Sequence, residues 1–256
     1  MLARDIALAL DPSLLMAEAG FEPDAWQERV LRSAAKRQLL LCSRQVGKST
    51  TTSVLALHEA TYRPGALILL LSPSLRQSQE LFRKLLSVYH ALPTRAPAVL
   101  ESSLRLELAN GSRIVSLPGK EDTVRGFSGV TLLVVDEAAR VPDALYFAIR
   151  PMLAVSDGRL VCLSTPFGKR GFFYEEWERG TNWERTRITA EDCPRISRAF
   201  LEEERQALGR YWFRQEYLCE FVETADQIFG HDLVANALDD DIKPLFSPSR
   251  RSISRC

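Results

Sequence analysis

Three segments concentrate side chains whose types and spacing suit phosphate chemistry. The first is Leu39-Leu-Leu-Cys-Ser-Arg-Gln-Val-Gly-Lys-Ser-Thr50. Against the pattern G-x-x-x-x-G-K-[ST], Gly47, Lys48 and Ser49 fit, and Cys42 stands where the first glycine is usual. An apolar strand delivers the chain into a turn whose backbone N–H groups face inward at the positive end of a helix. Cys42, Ser43, Arg44, Gln45, Val46 and Gly47 form that loop, with Thr50 just inside the helix. Lys48 then reaches the β- and γ-phosphates and Ser49 offers a hydroxyl to Mg²⁺. A Gly-Lys-Ser in a strand-to-helix turn also arises by chance, so this segment needs a second one.

That second segment is Thr131-Leu-Leu-Val-Val-Asp-Glu-Ala-Ala-Arg140. Asp136 and Glu137 end an apolar strand, where open α/β sheets place their ligand sites. Asp136 suits Mg²⁺ through water, and Glu137 suits polarising an attacking water. The two motifs in this order, roughly 90 residues apart, point to binding of a nucleotide with Mg²⁺. After another apolar run comes Cys162-Leu-Ser-Thr-Pro-Phe-Gly-Lys-Arg-Gly171. Its Ser164 and Thr165 are placed to sense a γ-phosphate, although a Pro-Gly loop with capping hydroxyls reads the same way. Gln27, in Phe21-Glu-Pro-Asp-Ala-Trp-Gln27, carries an amide able to read the edge of adenine, or is an ordinary surface glutamine. Arg44 and Arg125 are candidates for stabilising charge on a transferring phosphoryl group, or for solvated roles.

The elements that must position these residues alternate short apolar runs with helical patterns, the signature of an α/β domain with a largely parallel sheet. Strands are expected at Gln38–Cys42, Ala66–Leu71, Thr131–Val135, Arg159–Leu163 and Trp183–Ile188. A hairpin turns at Asn110-Gly111 between Leu104–Leu108 and Arg113–Leu117. Helices are expected over Lys48–Thr61, from the N-cap Ser74 to about His90, from Ser197 to a stop at Gly209, and over Arg210–Glu220. After Phe246 the pattern ends. Residues 1–222 thus read as one domain, and 223–256 as a linker with a disordered tail.

Composition narrows the rest. Lys plus Arg is 33 and Asp plus Glu is 33, so no global charge draws the chain to nucleic acid or membrane. The apolar runs fall far short of the roughly 20 residues that span a bilayer. Five scattered cysteines and three lone histidines match no zinc or disulfide framework. The 27 Arg against 6 Lys read as coding bias. Arg170, Arg179, Arg185 and Arg187 interleave with Glu175, Glu176, Glu178 and Glu184 as a solvated helix face.

With these residues assembled, the chain resembles the ATPase domain of a phage terminase large subunit, the motor that drives DNA into a procapsid. The Pro-Asp-x-Trp-Gln segment, CSRQVGKS, VVDEAA and STPFGKRGFFYE carry the resemblance, which runs from about Leu8 to Phe246. That family often lacks the first glycine of the phosphate loop and holds an arginine within it. The resemblance implies a P-loop NTPase of the additional-strand, RecA-like class, with a short helical C-terminal extension and with ATP as its nucleotide. Lys48 and Ser49 would bind phosphate and metal, Asp136 would hold Mg²⁺, and Glu137 would be the catalytic carboxylate. Ser164 and Thr165 would couple hydrolysis to motion, and Arg125 would reach a neighbouring subunit. It also implies double-stranded DNA as partner, and the neutral charge balance leads to the expectation that each subunit holds it weakly. Portal protein, terminase small subunit and a homo-oligomeric ring in the bacterial host cytoplasm complete that picture. Such terminases continue into a nuclease domain, and Asp226, Asp232 and Asp239 to Asp241 lie on no strand-like pattern, so no nuclease activity is expected. An isolated domain, a split gene and a truncated prophage remnant all fit this ending. A helicase-like ATPase and an inert nucleotide-binding remnant are the alternatives.

Overall fold

The computed structural model describes residues 2–119, 124 and 126–223. Arg125, the aspartates beyond residue 223 and the expected tail lie outside the described residues. The chain divides after Val222, and the first unit is the one described.

Its elements, in order, are α1 (Leu2–Leu10), α2 (Pro12–Glu18), α3 (Ala25–Arg32), β1 (Arg37–Cys42), α4 (Lys48–Tyr62), β2 (Leu67–Ser72) and α5 (Leu75–Ala91). Then follow β3 (Ala98–Glu101), β4 (Arg105–Leu108), β5 (Arg113–Pro118), β6 (Leu132–Asp136), α6 (Asp143–Ile149), β7 (Arg159–Ser164), α7 (Gly171–Glu178), β8 (Glu184–Ile188) and α8 (Arg198–Glu216). Short 3-10 turns cover Ala138–Arg140, Arg150–Leu153 and Ala190–Asp192.

The eight strands form one sheet in the order β3-β4-β5-β2-β6-β7-β1-β8. From β5 to β8 every neighbouring pair is parallel. The edge β3-β4-β5 is antiparallel. β2 and β6 are buried at every position. Both faces are therefore covered, and the strands read as continuous apolar runs instead of alternating ones. Leu40, Ile68, Leu70, Leu132, Val134, Val161 and Leu163 pack on one face with α4 and α5. Leu39, Leu69, Leu71, Leu133, Val135 and Leu160 pack on the other with α6 and α7. Each such side chain contributes roughly 1.5–3 kcal/mol of burial, which is why the sheet tolerates costly polar groups at its edge.

The hairpin turns at Gly111, whose φ is +83°, and the Asn110 amide donates to the carbonyls of Ala60 and Thr61 at the end of α4. The span α8 is two helices that meet at Gly209, whose backbone is non-helical (φ +72°, ψ 167°), so the first helix stops at Gly209 as expected. Arg185 and Arg187 lie on the edge strand β8, not on a helix face. Arg185 donates to the carbonyls of Glu176 and Trp177 at the end of α7, a favourable place for a cation.

Candidate active site

β1 ends at Cys42, and the chain turns through Ser43–Gly47 into α4. Only two loop residues take positive φ: Gln45 at +61° and Gly47 at +95°. Cys42 still pairs in register with Ile188 of β8, in ordinary strand geometry. That explains why a cysteine serves where a glycine is usual, since the backbone there needs no left-handed conformation. At Gly47 the left-handed backbone favours glycine, and a Cβ would also come 3.0 Å from Gln27 Nε2, closer than ordinary contact.

The first turns of α4 are rich in hydroxyls, which are indifferent helix formers. They are held by back-bonding to the preceding turn. Thr51 Oγ1 donates to Gly47 O at 3.1 Å, and Ser53 Oγ donates to Ser49 O at 2.7 Å. The helix thus starts firmly at Lys48, its N–H groups toward the loop.

β6 delivers Asp136 and Glu137 opposite. By period-2 alternation Asp136 shares the face of Leu132 and Val134, the face on which α4 packs. Glu137 takes a left-handed conformation (φ +49°) and opens the 3-10 turn. Lys48 Nζ donates to Glu137 Oε1 at 2.7 Å, in a pair whose side chains are only 12% and 20% exposed. Burial lowers the Lys48 pKa, but Glu137 and Asp136 more than offset it, and the ammonium is held above its ordinary value. The Asp136 carboxyl is pushed up to about 6, by burial first and the Glu137 charge second, against the pull of Lys48.

Ser72, Asp136 and Ser164 are the last residues of β2, β6 and β7, three neighbours in the sheet. Each carries a buried side-chain oxygen without a hydrogen-bond partner among the described residues. Three costly groups on one strand edge mark a place built for something other than stability. β7, which ends at Ser164 with Thr165 next in the chain, lies between β1 and β6.

Two cavities meet at the start of α4. One, of about 520 Å³, is lined by Arg44, Gln45, Lys48, Ser49, Asp136 and Glu137, with Gln77, Glu80 and Lys84 of α5 opposite. The other, of about 580 Å³, is lined by Phe21, Pro23, Gln27, Pro194 and Arg195. Gly47 and Thr50 border both. Cys42, Ser43 and Val46 are buried behind the loop, and Ser164 and Thr165 are buried too; none of the five lines either cavity.

Two expected residues are engaged within the chain. Gln27 is buried; its Oε1 accepts from Asp24 N at 2.9 Å and its Nε2 donates to Thr51 Oγ1 at 2.9 Å. Instead of an open amide edge, Gln27 closes a capping box on α3 and ties that helix to α4. Arg44 Nε donates to Glu216 at 2.5 Å, while Ser43 Oγ donates to Glu216 O at 2.9 Å, so the loop is fastened to the end of α8.

Two further groups escaped the sequence reading. Arg195 makes two hydrogen bonds to the Asp24 carboxylate, at 2.8 and 2.7 Å, and donates to Val46 O in the loop at 3.1 Å. The α5 residues facing the loop are the other group. Neither has a local signal, because the partners are far apart in the chain.

A central parallel sheet with one strand between the phosphate-loop strand and the Asp-Glu strand defines a P-loop nucleotide-binding domain of the additional-strand class. The chain belongs to the family described as terminase large subunit, T4likevirus-type, N-terminal, whose model matches residues 39–235. It is 28% identical to the terminase large subunit of Thermus phage G20c over 82% of this chain and 51% of that protein. It is 29% identical to that of Escherichia phage T5 over 90% and 54%. The large terminase ATPase domain of Thermus phage P74-26 superposes with a TM-score of 0.71 at 28% identity, covering 83% of this chain and all of that one. The chain spans about half the length of the curated relatives it matches.

Proposed function

We propose that this chain hydrolyses ATP with Mg²⁺ and that hydrolysis drives double-stranded DNA into a phage procapsid. One observation carries the reading: the buried Lys48–Glu137 pair beside the unpartnered Asp136 oxygen, facing the start of α4. The residues fit the nucleotide and its metal. The phosphate loop and the α4 N-terminus offer N–H donors, and Ser49 and Asp136 supply the hard oxygens Mg²⁺ prefers. Bound there, Mg²⁺ would neutralise charge on the β- and γ-phosphates.

Lys48 is shared between two anions. With no phosphate present it holds Glu137. A γ-phosphate offers it a stronger, multiply charged partner, and the exchange frees the Glu137 carboxylate to orient water. The water oxygen bonds to the γ-phosphorus as the bond from γ-phosphorus to the bridging oxygen breaks; Glu137 accepts the water proton, and ADP departs. Arg44, on the cavity wall, is proposed to meet charge on the γ-phosphoryl once it leaves Glu216, and Arg125 to do so from a neighbouring subunit. Gln27 supports the base side of the site from behind the loop. Ser164 and Thr165, between the loop strand and the Asp-Glu strand, are the proposed link from hydrolysis to movement.

In this reading the chain works as a ring on the portal protein, with the small subunit, in the host cytoplasm. Each subunit grips DNA weakly, because a neutral chain gains little from counterion release. Among the described residues, no helix is long and apolar enough to cross a membrane. The test is steady-state ATP turnover by the wild type and Glu137→Ala, with and without DNA and portal. Wild-type turnover above the variant supports the reading. No difference, even with portal and DNA present, sinks it.

A further inference from the structure

Glu137 has two carboxylate oxygens, and only Oε1 is held by Lys48. Oε2 faces Arg140, whose Nε lies 4.0 Å away, an ion-pair distance without a hydrogen bond. The backbone dictates this approach. Glu137 opens the 3-10 turn that Arg140 closes, and Arg140 N donates to Glu137 O at 2.9 Å. With three residues per turn, side chains at i and i+3 eclipse, so the guanidinium is stacked toward the carboxylate.

Arg140 is also held from outside that turn. Its guanidinium lies 4.1 Å from the ring centroid of Phe167, and Arg170 lies over the same ring at 4.7 Å. Phe167 follows Thr165-Pro166 directly after β7. A planar cation on an aromatic face is attracted by the ring quadrupole and is fixed in orientation as well as place. Glu137, Arg140 and Phe167 therefore form one connected line, from the end of β6 to the segment after β7.

We infer that Arg140 is a positioning residue for Glu137 and that Phe167 sets Arg140. The inference rests on Glu137 acting in hydrolysis. Among the described residues, Lys48 and Arg140 are the cations at ion-pair distance from Glu137, so once a γ-phosphate takes Lys48 the carboxylate's aim at water depends on Arg140. Movement of the segment after β7 would reach Glu137 through the Phe167–Arg140 stack without touching the nucleotide.

The experiment measures kcat, KM for ATP and thermal midpoint on the full chain, with portal and DNA, for the wild type, Glu137→Gln, Arg140→Ala, Arg140→Lys, Phe167→Ala, Phe167→Leu and the double variant Arg140→Ala/Phe167→Ala. Misplacing a reacting group by about 1 Å costs on the order of 100-fold. Arg140→Ala is expected to lower kcat roughly 10- to 100-fold with KM within about 3-fold, the mark of an interaction used in the chemical step. Arg140→Lys keeps the charge but not the planar stack, and recovers part of the loss. Phe167→Leu, which keeps apolar contact, gives a smaller loss than Phe167→Ala. The double variant falls no further than Arg140→Ala, because the two act through one line. Three outcomes overturn the inference: kcat of Arg140→Ala within about 2-fold of wild type, losses that simply multiply in the double variant, or a loss carried by KM or the thermal midpoint alone. An inactive Glu137→Gln beside an unaffected Arg140→Ala defeats this inference alone, whereas wild-type activity in Glu137→Gln defeats the catalytic reading beneath it.

Discussion

The two sides of the α4 N-terminus are built on opposite terms. On the side of Asp24, Gln27 and Arg195, hydrogen bonds close on one another: Arg195 to Asp24 and Val46 O, Gln27 to Asp24 N and Thr51. On the side of Asp136 and Glu137, a cation and a carboxylate are buried together, and Asp136 and its strand-edge neighbours leave oxygens unpartnered. The first side finishes its own bonding and so fixes the loop in place. The second keeps charge concentrated at a cost to stability, which is useful only where an anion and a cation are to be bound. Substitutions on the two sides should therefore differ in kind, with chemistry lost on one and holding lost on the other.

The largest effect should come from Glu137→Gln, which keeps size and removes the proton acceptor. A positioned general base contributes roughly 100- to 10,000-fold. Turnover should fall by that order while nucleotide affinity, read by calorimetry, holds or rises because Lys48 loses its competitor. Weakened affinity with turnover intact would place the chemistry elsewhere.

Asp136→Asn sharpens the comparison because activity and stability should move in opposite directions. In the folded protein this carboxyl titrates near 6, against about 3.9 in an unfolded chain. Between those values the folded state holds a proton that the unfolded state has lost, so stability falls as pH rises from about 4 to about 6, then stays level. Two pKa units correspond to about 3 kcal/mol. Denaturant unfolding in EDTA should show that slope in the wild type and not in the asparagine variant. At pH 7 the variant should be the more stable, by up to that amount, yet slower in turnover, by less than Glu137→Gln. A variant less stable at pH 7 would mean that Asp136 is a structural partner of Lys48.

How much of this could be read from the chain follows from where the information sits. Ala66–Leu71 and Thr131–Val135 announce strands because a strand buried on both faces must be apolar throughout. β3 does not, since all four of its residues are exposed. The short helices α6 and α7 span only two turns each, too little for a periodic signal. In the site, Gly47–Ser49 and Asp136-Glu137 were legible because each group is contiguous and a strand end presents it. The Asp24–Arg195 and Arg44–Glu216 pairs lie 171 and 172 residues apart. Arg44 could be picked out because it lies inside the loop, but among 27 arginines no local feature marks Arg195 as the one that reaches it from outside.

Arg195→Ala breaks the finished side at its ion pair. It strips two hydrogen bonds from Asp24 and one from Val46 O, and it should let the loop drift without touching phosphate. Hydrogen bonds to charged groups are worth roughly 1.5–3 kcal/mol, less where solvent reaches them as it does here. KM for ATP should rise about 10-fold with kcat nearly unchanged. A kcat loss larger than the KM rise would place Arg195 among the groups acting in the chemical step and erase the distinction between the two sides.

The smallest effect should come from Thr51→Val, which keeps the shape of the side chain and removes its hydroxyl. Two bonds go with it, the one Gln27 Nε2 donates and the one Thr51 donates to Gly47 O. Gln27 is buried, so its Nε2 would lose a partner that water cannot readily replace. The expected cost is about 1 kcal/mol, a fall of roughly 2–4 °C in thermal midpoint for a domain of this size. Turnover at saturating ATP should be unchanged, because Oε1 of Gln27 still accepts from Asp24 N and Arg195 still holds Val46 O. This variant is the strictest test of the contrast, since Thr51 lies only three residues from Lys48. If side of the helix matters more than distance from the phosphate loop, an alteration this close should cost stability and leave the rate alone. A fall in kcat beyond about 3-fold would show that the loop transmits strain from one side to the other.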